Sequence, residues 1–249
     1  MSFTVVIPAR YQSSRLPGKM LLDIAGTPMV LRVVERARKS KAAAIYVATD
    51  DERIRLACAS AGVDVLMTNP AHASGTDRIA EVAQQLGLGA DAVIVNVQGD
   101  EPLIPPAVID QVAANLAVRP ETGICTLYAP VSDEAEWRNP NAVKLVTDTR
   151  GRVLYFSRAP IPWPRDGITA DSLALAKRHI GLYAYRVDVL QQFVGWPPSP
   201  IEETEKLEQL RAMYNGVTIH AERSCEFIPP GVDTAADLDH VRQLVQGGV

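Results

Sequence analysis

Five apolar, strand-like runs alternate with helical patterns through the first half of this chain, and that alternation constrains its fold more than any other feature. The runs are Thr4–Ile7, Ala44–Ala48, Val63–Met67, Ala92–Val97 and Gly123–Leu127, with helical spacing at Met29–Lys39, Asp51–Ala61, Thr76–Leu86 and Pro106–Val118 between them. Strand–helix–strand repetition predicts an α/β fold with a parallel sheet covered by helices on both faces. Ligands of such sheets gather outside the carboxyl ends of the strands. Three of those ends carry chemistry here: Pro8-Ala9-Arg10, Thr49-Asp50-Asp51 and Gln98-Gly99-Asp100-Glu101-Pro102.

The first strand runs directly into a loop with Arg10, Arg15 and Lys19, set among small residues that free backbone N–H groups. That composition suits a polyphosphate, whose charge the three cations would balance. The loop matches neither common glycine motif. It lacks G-x-G-x-x-G, and Gly18-Lys19 is followed by Met20 where a Walker loop needs Ser or Thr. The alternative is that these are solvated loop charges.

After about residue 130 the rhythm changes. Asn141–Asp148 and Gly151–Phe156 read as a hairpin, a proline-rich stretch follows at Ala159–Gly167, and His179–Tyr185 reads as a strand. We expect residues 131–200 to form an inserted smaller subdomain closing over the site, within a single domain spanning 1–249. Val187–Val194 and Glu203–Tyr214 read as helices, Thr218–Ala221 as a strand, and Thr234-Ala235-Ala236-Asp237 as a capping box opening the last helix.

A chain of 249 residues with 47% hydrophobic content can bury a large core. Its net charge of -4, with signs interspersed, argues against a nucleic-acid face or a polybasic membrane patch, so any anion site is local. The chain enters a strand at once and has no run as long as a membrane span, which makes the cytoplasm the expected address. Cys58, Cys125 and Cys225 lack paired metal or redox spacing and are expected to be buried, reduced and structural.

Asp100 follows an apolar strand behind Gly99, whose missing side chain would let a phosphate or sugar approach the backbone. It is a candidate Mg²⁺ ligand, since Mg²⁺ needs few carboxylates when a triphosphate supplies the remaining oxygens. Capping of the next helix by Asp100 or Glu101 is the other reading. Ser74-Gly75-Thr76-Asp77-Arg78 can read a planar base edge through its backbone, or can simply be a helix N-cap.

Together with Ile7-Pro8-Ala9-Arg10, Ser14-Arg15-Leu16-Pro17-Gly18-Lys19 and Val95-Asn96-Val97-Gln98-Gly99-Asp100-Glu101-Pro102, that segment resembles the 3-deoxy-manno-octulosonate cytidylyltransferases, or CMP-Kdo synthetases. The likeness continues through Asn139–Lys144, Tyr155–Ala159, His179–Arg186, Leu207–Arg211 and Gly231–Thr234, so it covers nearly the whole chain. It implies a Rossmann-like nucleotidyltransferase sheet, a homodimer, and transfer of CMP from CTP to Kdo with Mg²⁺ and release of pyrophosphate. Arg15 and Lys19 would hold the triphosphate, while Ala9, Arg10, Ser74, Gly75, Thr76 and Arg78 would surround cytosine and ribose. Gln98, Arg158, His179, Tyr185, Glu205 and Glu208 would face Kdo, and Asp233 would join Asp100 on the metal. A histidine at a strand start, such as His179, is otherwise more often structural. His72, His220 and His240 receive no role.

In-line attack of the anomeric hydroxyl on the α-phosphorus needs no covalent intermediate, so positioning and charge neutralisation would carry most of the catalysis. A metal at Asp100 would acidify the attacking hydroxyl. The competing readings are a cytidylyltransferase for another sugar acid, a nucleotide-sugar glycosyltransferase, which has no need of the Arg/Lys loop, and a non-catalytic nucleotide binder.

Overall fold

Each apolar run becomes a strand because alternate side chains enter two different cores. In the computed structural model, which describes residues 2–13 and 15–247, β1 (Thr4–Ala9) sends Val5, Ile7 and Ala9 to one face and Val6 to the other. A short hairpin, β2 (Asp23–Ile24) and β3 (Thr27–Pro28), leads to α1 (Met29–Ala37). Next come β4 (Ala44–Thr49), α2 (Glu52–Ser60), β5 (Asp64–Met67), α3 (Gly75–Gln85), β6 (Val93–Asn96) and α4 (Pro106–Ala117). Beyond them lie β7 (Ile124–Pro130), α5 (Glu134–Arg138), β8 (Lys144–Thr147), β9 (Val153–Ser157), α6 (Ala170–Ala174) and β10 (Lys177–Arg186). The chain ends with α7 (Val187–Gly195), α8 (Pro200–Glu205), α9 (Gln209–Tyr214), β11 (Ile219–Arg223) and α10 (Ala235–Gln246).

The main sheet runs β11-β7-β10-β6-β1-β4-β5, with the β8–β9 hairpin attached to β10. Residues of α1, α2 and α4 pack on one face and those of α3, α7 and α9 on the other, as expected. The sheet is not wholly parallel, however. β10 lies between β6 and β7 and pairs antiparallel with both. Its late position hid this: a strand arriving after a hairpin needs no crossover helix and can enter the gap from the opposite end. Tyr183 pairs with Asn96 at the end of β6, so residues 177–182 continue past it, and the hairpin extends the sheet alongside the loaded edge. A register irregularity between Ile180 and Tyr183 bends β10 where Gly181 meets two cavities.

The long helix expected over Glu203–Tyr214 is two helices, broken at Lys206, whose φ of 53° is left-handed. A continuous helix would put Glu205 and Glu208 on one face, three residues apart. The break sends them to different partners. Cys58 and Cys125 are buried, and burial lifts their thiols to about 11 and about 12. Cys225 is exposed, contrary to expectation, because it lies past the end of β11 in the loop leading to Phe227. Among the described residues no helix is long and apolar enough to cross a membrane.

Candidate active site

Lys19 organises one end of the site. Gly18, at φ 67°, turns the loop sharply beneath the Tyr11 ring and starts the short 3-10 turn Lys19–Leu21. The Lys19 ammonium is thereby buried, donating to Asp100 Oδ2 at 2.7 Å, the Val232 carbonyl at 3.0 Å and Asp233 Oδ1 at 3.2 Å. Arg15, far more exposed, reaches the same Asp233 oxygen at 3.0 Å. Two carboxylates 133 positions apart in sequence thus meet on one cation. Asp233 does not cap α10; Thr234 does, in a reciprocal box with Asp237. Ser14, within the same motif, lies outside the described residues.

The Gly231 segment reaches this point because its backbone docks on Asp100, with Val232 N–H donating to the Asp100 carbonyl at 2.8 Å. A Cβ on Gly231 would lie 3.1 Å from that carbonyl oxygen. Gly99 is explained by packing, not by substrate access. A Cβ there would sit 2.8 Å from the Pro8 carbonyl oxygen and 2.9 Å from the Met20 sulfur.

Arg10 lines a cavity of about 340 Å³ with Arg15, Lys19, Gln98 and Asp233. Its Nη2 is buried without a hydrogen-bond partner among the described residues, and burial, then the nearby Arg78 cation, pushes the guanidinium below its ordinary value. An anion would relieve both. Arg78 itself is 1% exposed and bound to Asp50 at 2.9 Å and Thr68 Oγ1 at 2.6 Å, so it underlies the pocket instead of meeting a ligand. Ala9 is likewise fully buried at the end of β1, and the cavity wall is formed by its neighbours Pro8 and Arg10. The Ser74 side chain accepts from Asp77 N–H and caps α3, while Gly75 lines the cavity.

Gly75 and Gln98 also line a second cavity, of about 270 Å³, so the two adjoin each other. Its polar lining includes Thr76, Asn96, Gln98, Tyr183, Tyr185 and Glu208. Burial raises both tyrosine hydroxyls well above their ordinary range, the Glu208 charge adding to the effect, so both are neutral donors. Asn96 and Tyr183 escaped the sequence reading. An amide in the otherwise apolar β6, two residues before Gln98, and a tyrosine two residues before Tyr185 were the period-two signals that would have found them.

Arg158 and Glu205 are brought to each other. Glu205 accepts from Ser157 Oγ at 2.6 Å and Arg158 N–H at 2.9 Å, while the Arg158 guanidinium donates to the Glu205, Pro140 and Lys206 carbonyls. This clasp joins β9 to the end of α8, and neither residue lines the two adjoining cavities. His179 lines a third cavity, of about 630 Å³, with Glu101 and Arg178. Its Nε2 is 3.0 Å from Thr126 Oγ1, which already has the Ile180 and Leu182 carbonyls to donate to; the imidazole is therefore the donor.

Burial, then the Arg178 charge, pushes the His179 imidazole down to about 3, so it is neutral in the folded protein. The unfolded chain takes up a proton below about pH 6.5 that the folded one refuses, so stability present above that pH is lost as pH falls toward 3. Between pH 6 and 5 the protein should lose about 1.2 kcal/mol more than a His179→Asn variant, measured by chemical denaturation. Parallel pH profiles would contradict this assignment. His220, also pushed down mainly by burial, is present in both proteins and cancels in the comparison.

Among the described residues no cluster of three or more His, Cys, Asp or Glu side chains forms a self-contained metal cage. Asp100 and Asp233 nonetheless suit a magnesium ion that draws its other ligands from substrate and water. Each contacts Lys19 through one oxygen and keeps the other without a hydrogen-bond partner among the described residues.

The cytidylyltransferase family profile matches residues 4–219. The chain is 58% identical to a 3-deoxy-manno-octulosonate cytidylyltransferase of Pseudomonas syringae pv. syringae over 99% of both chains, and 53% identical to one of Cellvibrio japonicus over the full length of both. A solved CMP:2-keto-3-deoxy-manno-octonic acid synthetase complexed with CTP superposes with a TM-score of 0.91, at 43% identity, over 100% of this chain and 99% of that one. A cytidylyltransferase structure from Leptospira borgpetersenii, at 16% identity and a TM-score of 0.63, covers 100% of this chain and 87% of its own and shares the fold.

Proposed function

The chain belongs to the 3-deoxy-manno-octulosonate cytidylyltransferases, and from that membership we propose that it joins CTP and Kdo into CMP-Kdo and pyrophosphate, activating the sugar for lipopolysaccharide synthesis. The observation that carries this reading is the adjacency of two unlike cavities across Gly75 and Gln98, one cationic around Arg10, Arg15 and Lys19 and one lined by neutral donors and Glu208. A triphosphate suits the first. A polyhydroxylated acid suits the second, where Asn96, Gln98 and the two tyrosines offer hydrogen bonds.

In this reading the Kdo anomeric oxygen attacks the α-phosphorus near Gly75 and Gln98, where the cavities adjoin. Arg15 and Arg10 bind the phosphates and stabilise charge on the departing pyrophosphate, while Lys19, whose three N–H bonds go to Asp100, Asp233 and the Val232 carbonyl, adds its charge from beneath them. Asp100 and Asp233 would hold Mg²⁺, which when bound supplies electrostatic stabilisation of the phosphates and a lowered pKa for the attacking hydroxyl. Lys19 holds the two carboxylates together against their mutual repulsion. CTP is an intracellular nucleotide, so the reading carries a cytoplasmic address.

The test is pyrophosphate release with a panel of nucleoside triphosphates and of octulosonic and nonulosonic acids in the presence of Mg²⁺. CTP with Kdo should be the preferred pair. Preference for an amino-substituted Kdo or a sialic acid would move the acceptor assignment, and turnover with another nucleotide would remove the cytidylyl assignment.

A homodimer is part of the proposal. Leu154, Trp163 and Leu175 are 56%, 61% and 65% exposed, all within residues 131–200, and their burial against a second copy would account for apolar surface at those positions. Light scattering should give twice the 27.0 kDa chain mass at micromolar concentration; a fully active monomer would contradict it.

A further inference from the structure

Thr76 follows Gly75, which lines the cationic cavity, yet Thr76 itself lines the second cavity. It is 3% exposed, and Oγ1 donates to Glu208 Oε2 at 2.7 Å, from the second position of α3 to the residue preceding α9. Neighbouring Gly75 lines both cavities, and Glu208 lines the second. Glu208 follows directly on the break at Lys206 and the buried Leu207, so the α8–α9 helices do not hold its carboxylate by regular structure.

We infer that Thr76 is a positioning residue, a strut through which occupancy of the nucleotide cavity fixes the Glu208 carboxylate for the acceptor. The Thr76 hydroxyl engages Oε2, leaving Oε1 without a hydrogen-bond partner among the described residues and free to accept from a sugar hydroxyl. A nucleotide seated against Gly75 holds the start of α3, and with it the strut. By linkage the effect is reciprocal: a bound acceptor tightens the nucleotide by the same factor. The inference rests on the acceptor occupying the second cavity, as proposed above. It reassigns Thr76, whose hydroxyl belongs to the acceptor side even though its backbone belongs to the nucleotide side.

The test compares Thr76→Val, which keeps the shape and loses the hydroxyl, with Thr76→Ser, which keeps the hydroxyl. Steady-state kinetics with CTP and Kdo are read alongside calorimetric CTP affinity, with and without a non-reacting Kdo analogue lacking the anomeric hydroxyl. Thr76→Val should raise the acceptor KM about tenfold, the scale of one hydrogen bond to a charged group, and should abolish the mutual tightening. CTP affinity measured alone should stay within about twofold, and Thr76→Ser should restore most of the acceptor KM. An unchanged acceptor KM in Thr76→Val overturns the strut, as does equal weakening of CTP binding without acceptor, which would make Thr76 a nucleotide contact. Wild-type protein that binds CTP but neither Kdo nor the analogue would instead overturn the functional reading on which the strut rests.

Discussion

Replacing Lys19 with alanine is expected to lower kcat/KM for CTP by about a hundredfold or more. The ammonium is 8% exposed and serves Asp100, Asp233 and the Val232 carbonyl at once. Losing a charge-assisted hydrogen bond that orders a catalytic site typically costs about 1.5–3 kcal/mol, or roughly ten- to a hundredfold. The substitution also leaves two carboxylates facing each other without their shared cation. Because Asp100 and Asp233 are 31% and 50% exposed, solvent screens part of that repulsion and the variant should still fold. Arg15→Ala should cost less, about tenfold, since Arg15 is 65% exposed and keeps one ion pair. Steady-state kinetics on both variants, with circular dichroism to verify folding, will check the order. Unchanged kcat/KM in Lys19→Ala would remove the phosphate-site assignment.

The second large effect is expected at the paired aspartates. Asparagine at position 100 or 233 can still accept a hydrogen bond from Lys19, so folding should survive, while the charge that suits a magnesium ion is gone. Asp100→Asn should reduce turnover by at least about a hundredfold and Asp233→Asn by about tenfold or more, both with a raised Mg²⁺ requirement. The difference follows from exposure and from Arg15, which partly shields Asp233. Helix capping cannot account for a loss at Asp233, because the α10 cap is made by Thr234 and Asp237. Near-normal turnover and unchanged Mg²⁺ dependence in Asp233→Asn would take Asp233 out of the metal site.

The strand-to-loop junctions were legible because local chemistry announces them. An apolar run ending in Pro8-Ala9-Arg10 or Gln98-Gly99-Asp100 leaves few places for those polar groups except a sheet edge. The capping box at Thr234 was legible for the same reason: its bonds close within four residues. Features decided by distant partners were not. The antiparallel insertion of β10 depends on a gap between strands far earlier in the chain, and the break at Lys206 depends on where Glu205 and Glu208 find hydrogen-bond donors. Arg78 reads as a ligand-facing cation beside Thr76-Asp77, yet its helix turns it inward onto Asp50, 28 residues away in sequence. Glycine was the least readable residue. The spacing around Gly99 suggests substrate access, and only the approach of Pro8 and Met20 accounts for it.

The central claim is transfer of a cytidylyl group at the α-phosphorus, in a site where Lys19, Asp100 and Asp233 converge. The most direct measurement uses CTP radiolabelled at either the α- or the γ-phosphate, incubated with Kdo and Mg²⁺ and resolved by anion-exchange chromatography. The α-label is expected to enter a sugar phosphodiester and the γ-label to leave in pyrophosphate, in equal amounts, with both signals lost together in Asp100→Asn. Appearance of the γ-label on the sugar, or release of the label as orthophosphate, would contradict it.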